Sequence, residues 1–165
     1  MAFSTRSLAT GAALLMVLGF GKQVMAPPRS IAERGVRLAL IRLNGLLSRR
    51  DLSIVDEFID AEDTLLVGPK PDERARGAAQ IEAYFEELFA KPEALCFSWR
   101  EVDVSVVGEI AWIHADGHLI RKTDSGEVRR PYRLAGVLEP RGGGWKWRMF
   151  QGSRPAEPAA AAPSA

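Results

Sequence analysis

EVDVSVVGEIAWIHADGHLI, residues 101–120, alternates polar or aromatic side chains with aliphatic ones over most of its length. A period of two residues is typical of a β-strand, because successive side chains point to opposite faces of a sheet. Gly108 and Glu109 interrupt the alternation, and two residues are enough to join antiparallel strands in a hairpin. This stretch therefore predicts two long paired strands.

The same period continues towards the C-terminus. It predicts four strands in succession, over residues 95–107, 110–122, 128–139 and 145–151. The segments that join them are rich in Gly, Asp, Ser and Pro and are too short for anything but antiparallel hairpins. We therefore expect a four-stranded meander.

Upstream of residue 94 the apolar residues follow the helical spacing instead. Ser30 and Glu33 have the spacing of a capping box, which predicts that a helix begins at residue 31 and ends near residues 48–50. Asp51 predicts the cap of a short second helix. A short buried strand over 64–68, a loop over 69–76 and a third helix over 77–90 should follow. Helices before a meander predict an α+β fold, with three N-terminal helices packed in a curved, mostly antiparallel sheet of order α-α-β-α-β-β-β-β.

The two ends of the chain differ from this central unit. Arg6 is the only charge before residue 22, and the uncharged run 8–20 is shorter than a membrane span requires. With the small residues before Pro27, residues 1–26 predict a signal peptide and an exported protein; the alternative is a cytoplasmic protein that starts at Met25. The Ala/Pro-rich segment 155–165 predicts a disordered tail. We expect one folded domain over residues 30–154.

Composition excludes several classes of protein. The 165 residues include 22 Lys and Arg against 21 Asp and Glu, and a net charge of +1 argues against a nucleic-acid-binding surface. Cys96 is the only cysteine, so neither an intrachain disulfide nor a multi-cysteine metal site can form. His114 and His118 are the only histidines. We therefore expect no metal, no cofactor and no stable membrane span.

The order of elements resembles the SnoaL-like branch of the nuclear transport factor 2-like superfamily. The resemblance spans nearly all of residues 33–153 and lies in the order and spacing of four motifs: LSRRDLSIVDEFIDAEDTLLVGP (47–69), RGAAQIEAYFEELF (76–89), VSVVGEIAWIHADG (104–117) and YRLAGVLEPRGGGWKWRMFQGS (132–153). It implies a cone-shaped half barrel in which a curved sheet wraps over three helices and leaves a conical cavity, usually in a dimer. Since this fold serves isomerases, cyclases, dehydratases and pure binding proteins, the resemblance does not decide the activity.

The ketosteroid isomerase-like members of the superfamily use a tyrosine and two pocket aspartates. Matched to this chain, the tyrosine position is Leu43, the proton-abstracting aspartate is Gly68 before Pro69, and the second aspartate is Ala135. None of these residues can donate or accept a proton through its side chain. The resemblance therefore implies no isomerase chemistry of that type.

Strand parity predicts which residues share a face of the meander. A turn at Gly108-Glu109 and a second at Ser125-Gly126 place ten residues on one mainly polar and aromatic face. The opposite face is almost wholly aliphatic. The polar and aromatic set is Trp99, Glu101, Asp103, Ser105, Trp112, His114, Asp116, His118, Arg133 and Ala135.

Two placements of these faces are open. Periodicity alone favours the aliphatic face packing on the helices while the polar face meets water, as antiparallel sheets commonly do. The resemblance favours the reverse, because the Ala135 position points into the cavity of the isomerase-like enzymes. We expect the second placement, in which the row from Trp112 to His118 points inward. A register error of one residue would reverse the assignment.

If that row lines the cavity, it forms a candidate site. His114 and Asp116 are then the candidate catalytic residues, since an Asp–His pair in a partly dry pocket can serve as a general base. The candidate ligand-binding residues are Trp99, Glu101, Asp103, Trp112, His118 and Arg133. The alternative is an ion network on an open sheet.

Three functions remain open on the sequence. The first is a dimeric binding module that holds a small amphipathic or apolar ligand in a conical pocket. The second is an enzyme of the cyclase, dehydratase or hydrolase-like kind that uses the His/Asp base. The third is an assembly module whose aliphatic sheet face joins subunits.

Overall fold

The structure is a computed structural model that describes residues 30–155. The expected signal peptide over 1–26 lies outside the described residues, as does all but the first residue of the expected tail. Among residues 30–155, no helix is both long and apolar enough to cross a membrane.

The helical part precedes the meander, as predicted. Helix α1 covers Ile31–Arg49, a 3₁₀-helix covers Leu52–Glu57, and helix α2 covers Gly77–Ala90. The second of the three predicted helices is thus a single short 3₁₀ segment. Strands β1 (Leu65–Val67) and β2 (Arg74–Arg76) lie between it and α2. The prediction of a plain loop over 69–76 is wrong at its end, because β2 pairs with β1.

The caps of the first helices follow the sequence signals. Ser30 Oγ accepts a hydrogen bond from the Glu33 amide at 3.1 Å, which satisfies one of the free N–H groups at the start of α1. Arg50 ends the helix in a left-handed conformation, with φ of 57°. Asp51 Oδ1 accepts from the Ser53 amide at 3.0 Å and from its hydroxyl, which lowers the pKa of this carboxyl. The chain therefore turns sharply from α1 into the 3₁₀-helix.

The predicted meander is present with slightly longer strands. Its members are β3 (Ala94–Val107), β4 (Ile110–Thr123), β5 (Gly126–Arg141) and β6 (Gly144–Ser153). The sheet order is β2-β1-β6-β5-β4-β3, and every pairing is antiparallel except that of β1 with β6. The α+β fold with a curved, mixed but mostly antiparallel sheet is therefore confirmed.

The helices cover one face of the sheet, here called the inner face; the other is the outer face. Aliphatic side chains of β4 and β5 are fully buried there, including Ile113 at 2% exposure and Leu134 at 0%. From α1, Leu40 and Leu43 pack into the same core. The core is thus the aliphatic face of the meander against the helices.

Strand β3 is one edge of the sheet, and a side chain of α1 hydrogen-bonds to its backbone. Asn44 Nδ2 donates to the Phe97 carbonyl at 3.0 Å, and Asn44 Oδ1 accepts from the Phe97 amide at 2.7 Å. A carboxamide offers the donor and the acceptor that a neighbouring strand would offer. Asn44 therefore completes the backbone pairing of β3 at Phe97.

Two bulges change which residues face the helices. The β3–β4 register shifts between Trp99 and Glu101, and the β5–β6 register shifts between Val137 and Leu138. Each extra residue reverses the alternation on the strand that carries it. The first bulge turns Trp99 to the inner face, where it is 5% exposed and stacks on Phe97 at 4.8 Å.

Candidate functional site

A cavity of about 330 Å³ lies between the inner face of the sheet and the helices. Every layer of the fold contributes to its wall. The apolar lining consists of Leu43, Leu47, Ile54, Phe58, Leu66, Pro69, Phe85, Leu88, Leu95, Phe97, Leu119, Val128 and Phe150, with the two phenols Tyr84 and Tyr132. This size and mainly apolar lining fit the general pattern of small-molecule pockets.

The aromatic part of the wall is continuous. Phe85 contacts both Phe58 and Tyr84, with ring centroids 5.9 and 5.4 Å apart. On the sheet side, Tyr132 lies 5.1 Å from the ring of Phe97. Flat rings on both sides of a cavity favour a ligand with an apolar, ring-like or extended body.

Charged residues surround the cavity on several elements. Five are cations and two are carboxylates: Lys70, Lys91, Arg121, Arg130, Arg154, Glu73 and Glu93. Lys70 Nζ lies 2.8 Å from Glu73, and Arg121 lies 3.2 Å from Glu93. The Glu73 carboxylate also raises the pKa of Lys70 through its hydrogen bond. Both carboxylates are therefore already compensated.

Two phenols belong to the cavity wall, that of Tyr132, which is buried, and that of Tyr84, which is half-buried. Burial is the main cause that raises the pKa of both Tyr84 and Tyr132 above the ordinary value, and the charge of Glu73 adds to the effect. Both hydroxyls therefore stay protonated over the whole physiological range. No hydrogen bond to either hydroxyl is formed by residues 30–155.

Glycine makes room for one of these phenols. A Cβ on Gly152 would lie 1.7 Å from the Tyr132 hydroxyl, so only glycine fits at this point of β6. The phenol of Tyr132 therefore crosses the inner face from β5 to β6 inside the cavity wall.

A second cavity of about 340 Å³ adjoins the first, between β2, the loop before it and α2. It shares Lys70, Glu73, Tyr84, Leu88 and Lys91 with the main cavity, and its remaining lining is mostly polar. The shared residues form the border between an apolar interior and a hydrophilic entrance.

The expected placement of the polar row inside the cavity is wrong. Strand pairing brings Glu101 opposite Asp116 and Asp103 opposite His114, as predicted. The row nevertheless lies on the outer face, and it borders neither of the two cavities. Trp112 is 48% exposed there. The aliphatic face is inside because burial of that surface stabilises the fold far more than burial of paired charges would.

The pairs within the row also differ in part from expectation. His118 lies opposite Pro131 rather than Arg133, since the turn is Asp124-Ser125 and the register is shifted by two residues. Arg133 instead faces Asp116, and its Nε donates to Asp116 Oδ1 at 2.8 Å. Because the register is shifted by an even number of residues, each side chain keeps its face of the sheet, and Arg133 remains on the polar side.

His114 and Asp116, the candidate catalytic pair, do lie close to each other. His114 Nε2 is 3.7 Å from Asp116 Oδ2, and the His114 side chain is 49% exposed. Asp103, expected as the partner of this imidazole, is exposed and makes no ion pair within residues 30–155. The structure thus gathers the pair at the surface, with Arg133 as its third member.

Two of the positions carried over from the isomerase-like enzymes are at the cavity. Leu43 lines it, and Gly68 lies beside the lining residue Pro69. The side chain of Glu73 fills the space beside Gly68, where a Cβ would lie 2.4 Å from Glu73 Oε2. Ala135 is different, since it pairs with His114 on the outer face. The assumption that its position points into the cavity is wrong for this chain.

Sequence reasoning missed every polar residue of the cavity, including the four without an ion-pair or hydrogen-bond partner within residues 30–155: Tyr84, Tyr132, Arg130 and Arg154. Tyr84 follows the apolar spacing of its helix, so the pattern does not mark it as a polar group of a cavity. Arg130 and Tyr132 share the inward parity of β5, which could have been found by following the aliphatic face rather than the polar one.

No group of three or more His, Cys, Asp or Glu within residues 30–155 is arranged to hold a metal ion. Cys96 is buried, and burial raises the pKa of its thiol. A raised pKa keeps the thiol protonated and poorly nucleophilic at neutral pH. It therefore adds no reactive group to the site.

Solved structures share this fold. A candidate dehydratase of the NTF2-like family from Streptomyces avermitilis superposes with a TM-score of 0.69 and 19% identity, over 76% of this chain and 98% of that one. A candidate calcium/calmodulin-dependent protein kinase II association domain from Xanthomonas campestris gives 0.67 and 21%, over 86% and 99%. An NTF2-like protein with a cystatin-like fold from Novosphingobium aromaticivorans gives 0.63 and 18%, over 79% and 86%. Identities this low show the fold alone.

Comparison with curated proteins gave no match. The family model of the SnoaL-like domain matches residues 36–157, which is most of the chain and nearly all of its folded part. The fold, the inner cavity and this match agree with the resemblance in the sequence. The chain therefore belongs to the SnoaL-like domain family.

Proposed function

We propose that this protein is a small-molecule-binding module that holds an apolar or amphipathic ligand in its inner cavity. The observation that carries the proposal is the 330 Å³ cavity itself, with its apolar and aromatic wall and its charged surroundings. Burying a ligand of matching size removes apolar surface of both partners from water. The polar end of the ligand then lies beside the charged residues rather than beside His118, Asp116 and Arg133.

The test is binding of a neutral apolar fluorophore, N-phenyl-1-naphthylamine, to protein stripped of co-purified lipid by organic extraction. We expect saturable binding of one molecule per chain and enhanced fluorescence. Leu119→Trp, which adds bulk to the cavity wall, should abolish it. Lys122→Trp places the same bulk on the outer face of the same strand and should bind normally. Absence of binding by the folded parent protein would contradict the proposal.

The same proposal includes the absence of isomerase chemistry of the ketosteroid type. Leu43 has no proton to donate, and Gly68 has no side chain to act as a base. A conjugated-ketone isomerisation assay with a β,γ-unsaturated steroid should therefore show no rate above that of buffer.

We also propose that the protein is a homodimer that associates through the outer face. Trp112 and Ile110 are 48% and 50% exposed on one face of the meander. Exposed apolar side chains that adjoin ion-paired ones are typical of a subunit interface. The earlier idea that the aliphatic sheet face joins subunits is wrong, because that face is covered by the helices.

Sedimentation equilibrium tests the dimer. The parent protein should sediment as a dimer, and Trp112→Asp should sediment as a monomer. Leu38→Asp is a matched control on α1, since Leu38 is 49% exposed and lies away from the sheet. A parent protein that is monomeric at every concentration would exclude this interface.

An enzyme remains the second candidate function, because the His114–Asp116–Arg133 cluster on the outer face has the composition of an acid–base site. Such a site needs a place to hold a substrate, and only a partner subunit could supply one there. Residues Glu101, Asp103, Trp112 and His118 would then contribute to it, whereas Trp99 lies on the inner face. If ligand turnover is found, His114→Gln distinguishes this site from the inner cavity.

Export is the corresponding proposal for location, on the basis of residues 1–26. Fractionation of cells that express the full chain tests it: the exported form should be shorter by about these residues, whereas a cytoplasmic product starting at Met25 would be found in the cytosol.

A further inference from the structure

The polar groups of the main cavity divide into those that already have partners and those that do not. Glu73 is bound to Lys70, Glu93 to Arg121, and Lys91 lies 3.7 Å from Glu87. These pairs account for both carboxylates of the lining. No acidic group of the cavity is therefore left to accept a hydrogen bond or a positive charge from a ligand.

Two guanidinium groups remain uncompensated. Within residues 30–155, neither Arg130 nor Arg154 has an ion-pair or hydrogen-bond partner, although both line the cavity. Arg130 lies two residues from Tyr132 on the same face of β5. Arg154 lies close enough to Tyr132 for its charge to act on that phenol. Both cations thus lie at the Tyr132 end of the cavity.

The remaining unpaired groups are the hydroxyls of Tyr84 and Tyr132, which interact electrostatically with each other. Tyr132 is 4% exposed. A buried hydroxyl that makes no hydrogen bond is costly, and a protonated phenol is a good donor to an anionic oxygen. All four unpaired polar groups are hydrogen-bond donors.

We propose that the cavity selects a ligand whose apolar body carries an anionic head, a carboxylate in the simplest case, and that Arg130, Arg154, Tyr84 and Tyr132 recognise this head. The inference rests on the proposed function and adds the chemical class of the ligand. A carboxylate presents two acceptor oxygens, which suits guanidinium and phenol donors together.

Glu73 is the group that opposes this arrangement, because its negative charge reaches both phenols. The Lys70 ammonium at 2.8 Å offsets it locally. With five cations against two carboxylates around the cavity, the surroundings remain positive. An anion therefore enters a favourable field, and salt should weaken its binding.

Three probes with one ring system test the class of ligand: 2-naphthoate, 2-naphthamide and 2-naphthylmethylammonium, titrated by fluorescence at pH 7 and low salt. We expect 2-naphthoate to bind about tenfold or more tighter than the amide, and the ammonium to bind weakest. Added salt should reduce the difference. Equal affinity of the three probes, or preference for the amide or the ammonium, would overturn the anionic head while leaving the proposed function intact. Failure of all three to bind would refute both.

Variants locate the recognition. Arg130→Gln and Arg154→Gln should each weaken 2-naphthoate about fivefold and leave 2-naphthamide unchanged. Arg129→Gln is the matched control: Arg129 is the neighbour of Arg130 on the outer face and is paired with Glu127 at 2.6 Å. If Arg129→Gln weakens 2-naphthoate as much as Arg130→Gln does, the effect is only general electrostatics and the assignment of Arg130 is wrong.

Tyr132→Phe and Tyr84→Phe keep the rings and remove only the hydroxyls, so the proteins should fold. Each should lower the preference for 2-naphthoate over 2-naphthamide by about threefold to tenfold. Circular dichroism and unfolding in urea verify that the variants are folded. A preference that is unchanged in the double variant would exclude the phenols from head-group recognition.

Discussion

Strands β4 and β5 present two faces of opposite chemistry, and the two faces differ in what a side chain contributes. On the inner face, Ile113 and Leu134 are almost completely buried and pack against the helices. On the outer face, Asp116 and Arg133 form an ion pair 2.8 Å long in contact with water. A buried aliphatic side chain stabilises the folded state several times more than an exposed ion pair does. The polar face therefore suggests a functional site in the sequence, whereas the aliphatic face determines the fold and the cavity.

The largest difference in stability should come from substitutions at two neighbouring residues of β4, Ile113 and His114. Ile113→Ala should lower the free energy of unfolding by about 3 kcal/mol, because it removes buried methyl groups and leaves a cavity in the core. His114→Ala, on the outer face, should cost less than about 0.5 kcal/mol. Urea unfolding at several protein concentrations measures both and separates any effect of association. Similar losses at the two positions would mean that the outer face is as buried as the inner one.

Gly117→Ala should disturb the packing of the inner face at the bulge of β3. A Cβ at this position would lie 2.2 Å from the Ser98 carbonyl oxygen and 2.8 Å from the Trp99 Cα. Because these are backbone atoms, the strand must move, and we expect a loss of about 2 kcal/mol. The tryptophan emission of the protein should shift to longer wavelength if the Trp99 ring leaves the core. The control is Ala111→Gly on the same strand, which removes a methyl group and creates no clash. Gly108→Ala would be less suitable, because backbone strain at Gly108 would add to its effect.

A pH titration of stability tests the ion pair of Glu139 and Arg148 beside the second bulge. Arg148 Nε donates to Glu139 Oε1 at 2.8 Å, and this hydrogen bond lowers the pKa of the Glu139 carboxyl below its ordinary value near 4.5. A carboxyl whose pKa is lower in the folded state stabilises the fold above its unfolded pKa, and this contribution is lost as the pH falls through the folded pKa. Glu139→Gln should therefore remove at most about 1 kcal/mol near pH 7 and progressively less in acid. An equal difference at pH 3 and pH 7 would contradict this origin.

The smallest effect is expected at the ion pair of the outer face. In the monomer, Asp116→Asn should change the free energy of unfolding by no more than about 0.5 kcal/mol, since Arg133 is 54% exposed there and water screens the pair. Its effect should vanish in high salt. A loss above about 2 kcal/mol would show that this face is desolvated, as in a tight dimer interface.

Much of the fold could be predicted from local patterns. The period of two residues and the Gly108-Glu109 turn give the register of β3 with β4, including Glu101 opposite Asp116. The turn after β4 was placed one residue too late, which shifts the register by two residues and so keeps each side chain on its face. Face membership is therefore more robust than pairing.

The bulge at residue 100 could not be read from the sequence. Nothing in the local composition separates a continuous strand from one with an extra residue, because the bulge depends on how β3 meets Gly117 of the neighbouring strand. This is why Trp99 was assigned to the wrong face. Strand β2 was missed for a similar reason: Arg74–Arg76 is short and flanked by charges, and it exists only by pairing with β1.

The candidate site was the least predictable part. Alternation defines two faces but does not say which one the helices cover, and the resemblance, applied through Ala135, gave the wrong answer. Tyr84 and Tyr132 come from a helix and a strand far apart in the chain, and their proximity is a property of the assembled fold. Only a tertiary structure brings them to one cavity.

The hydrogen bonds of Asn44 to Phe97 have a consequence for how copies of this protein can combine. A free strand edge can template further strands and so lead to open-ended fibrils. Here the carboxamide occupies the backbone groups that an incoming strand would need at that point of β3. Extension of the sheet is thereby hindered at this point of the β3 edge.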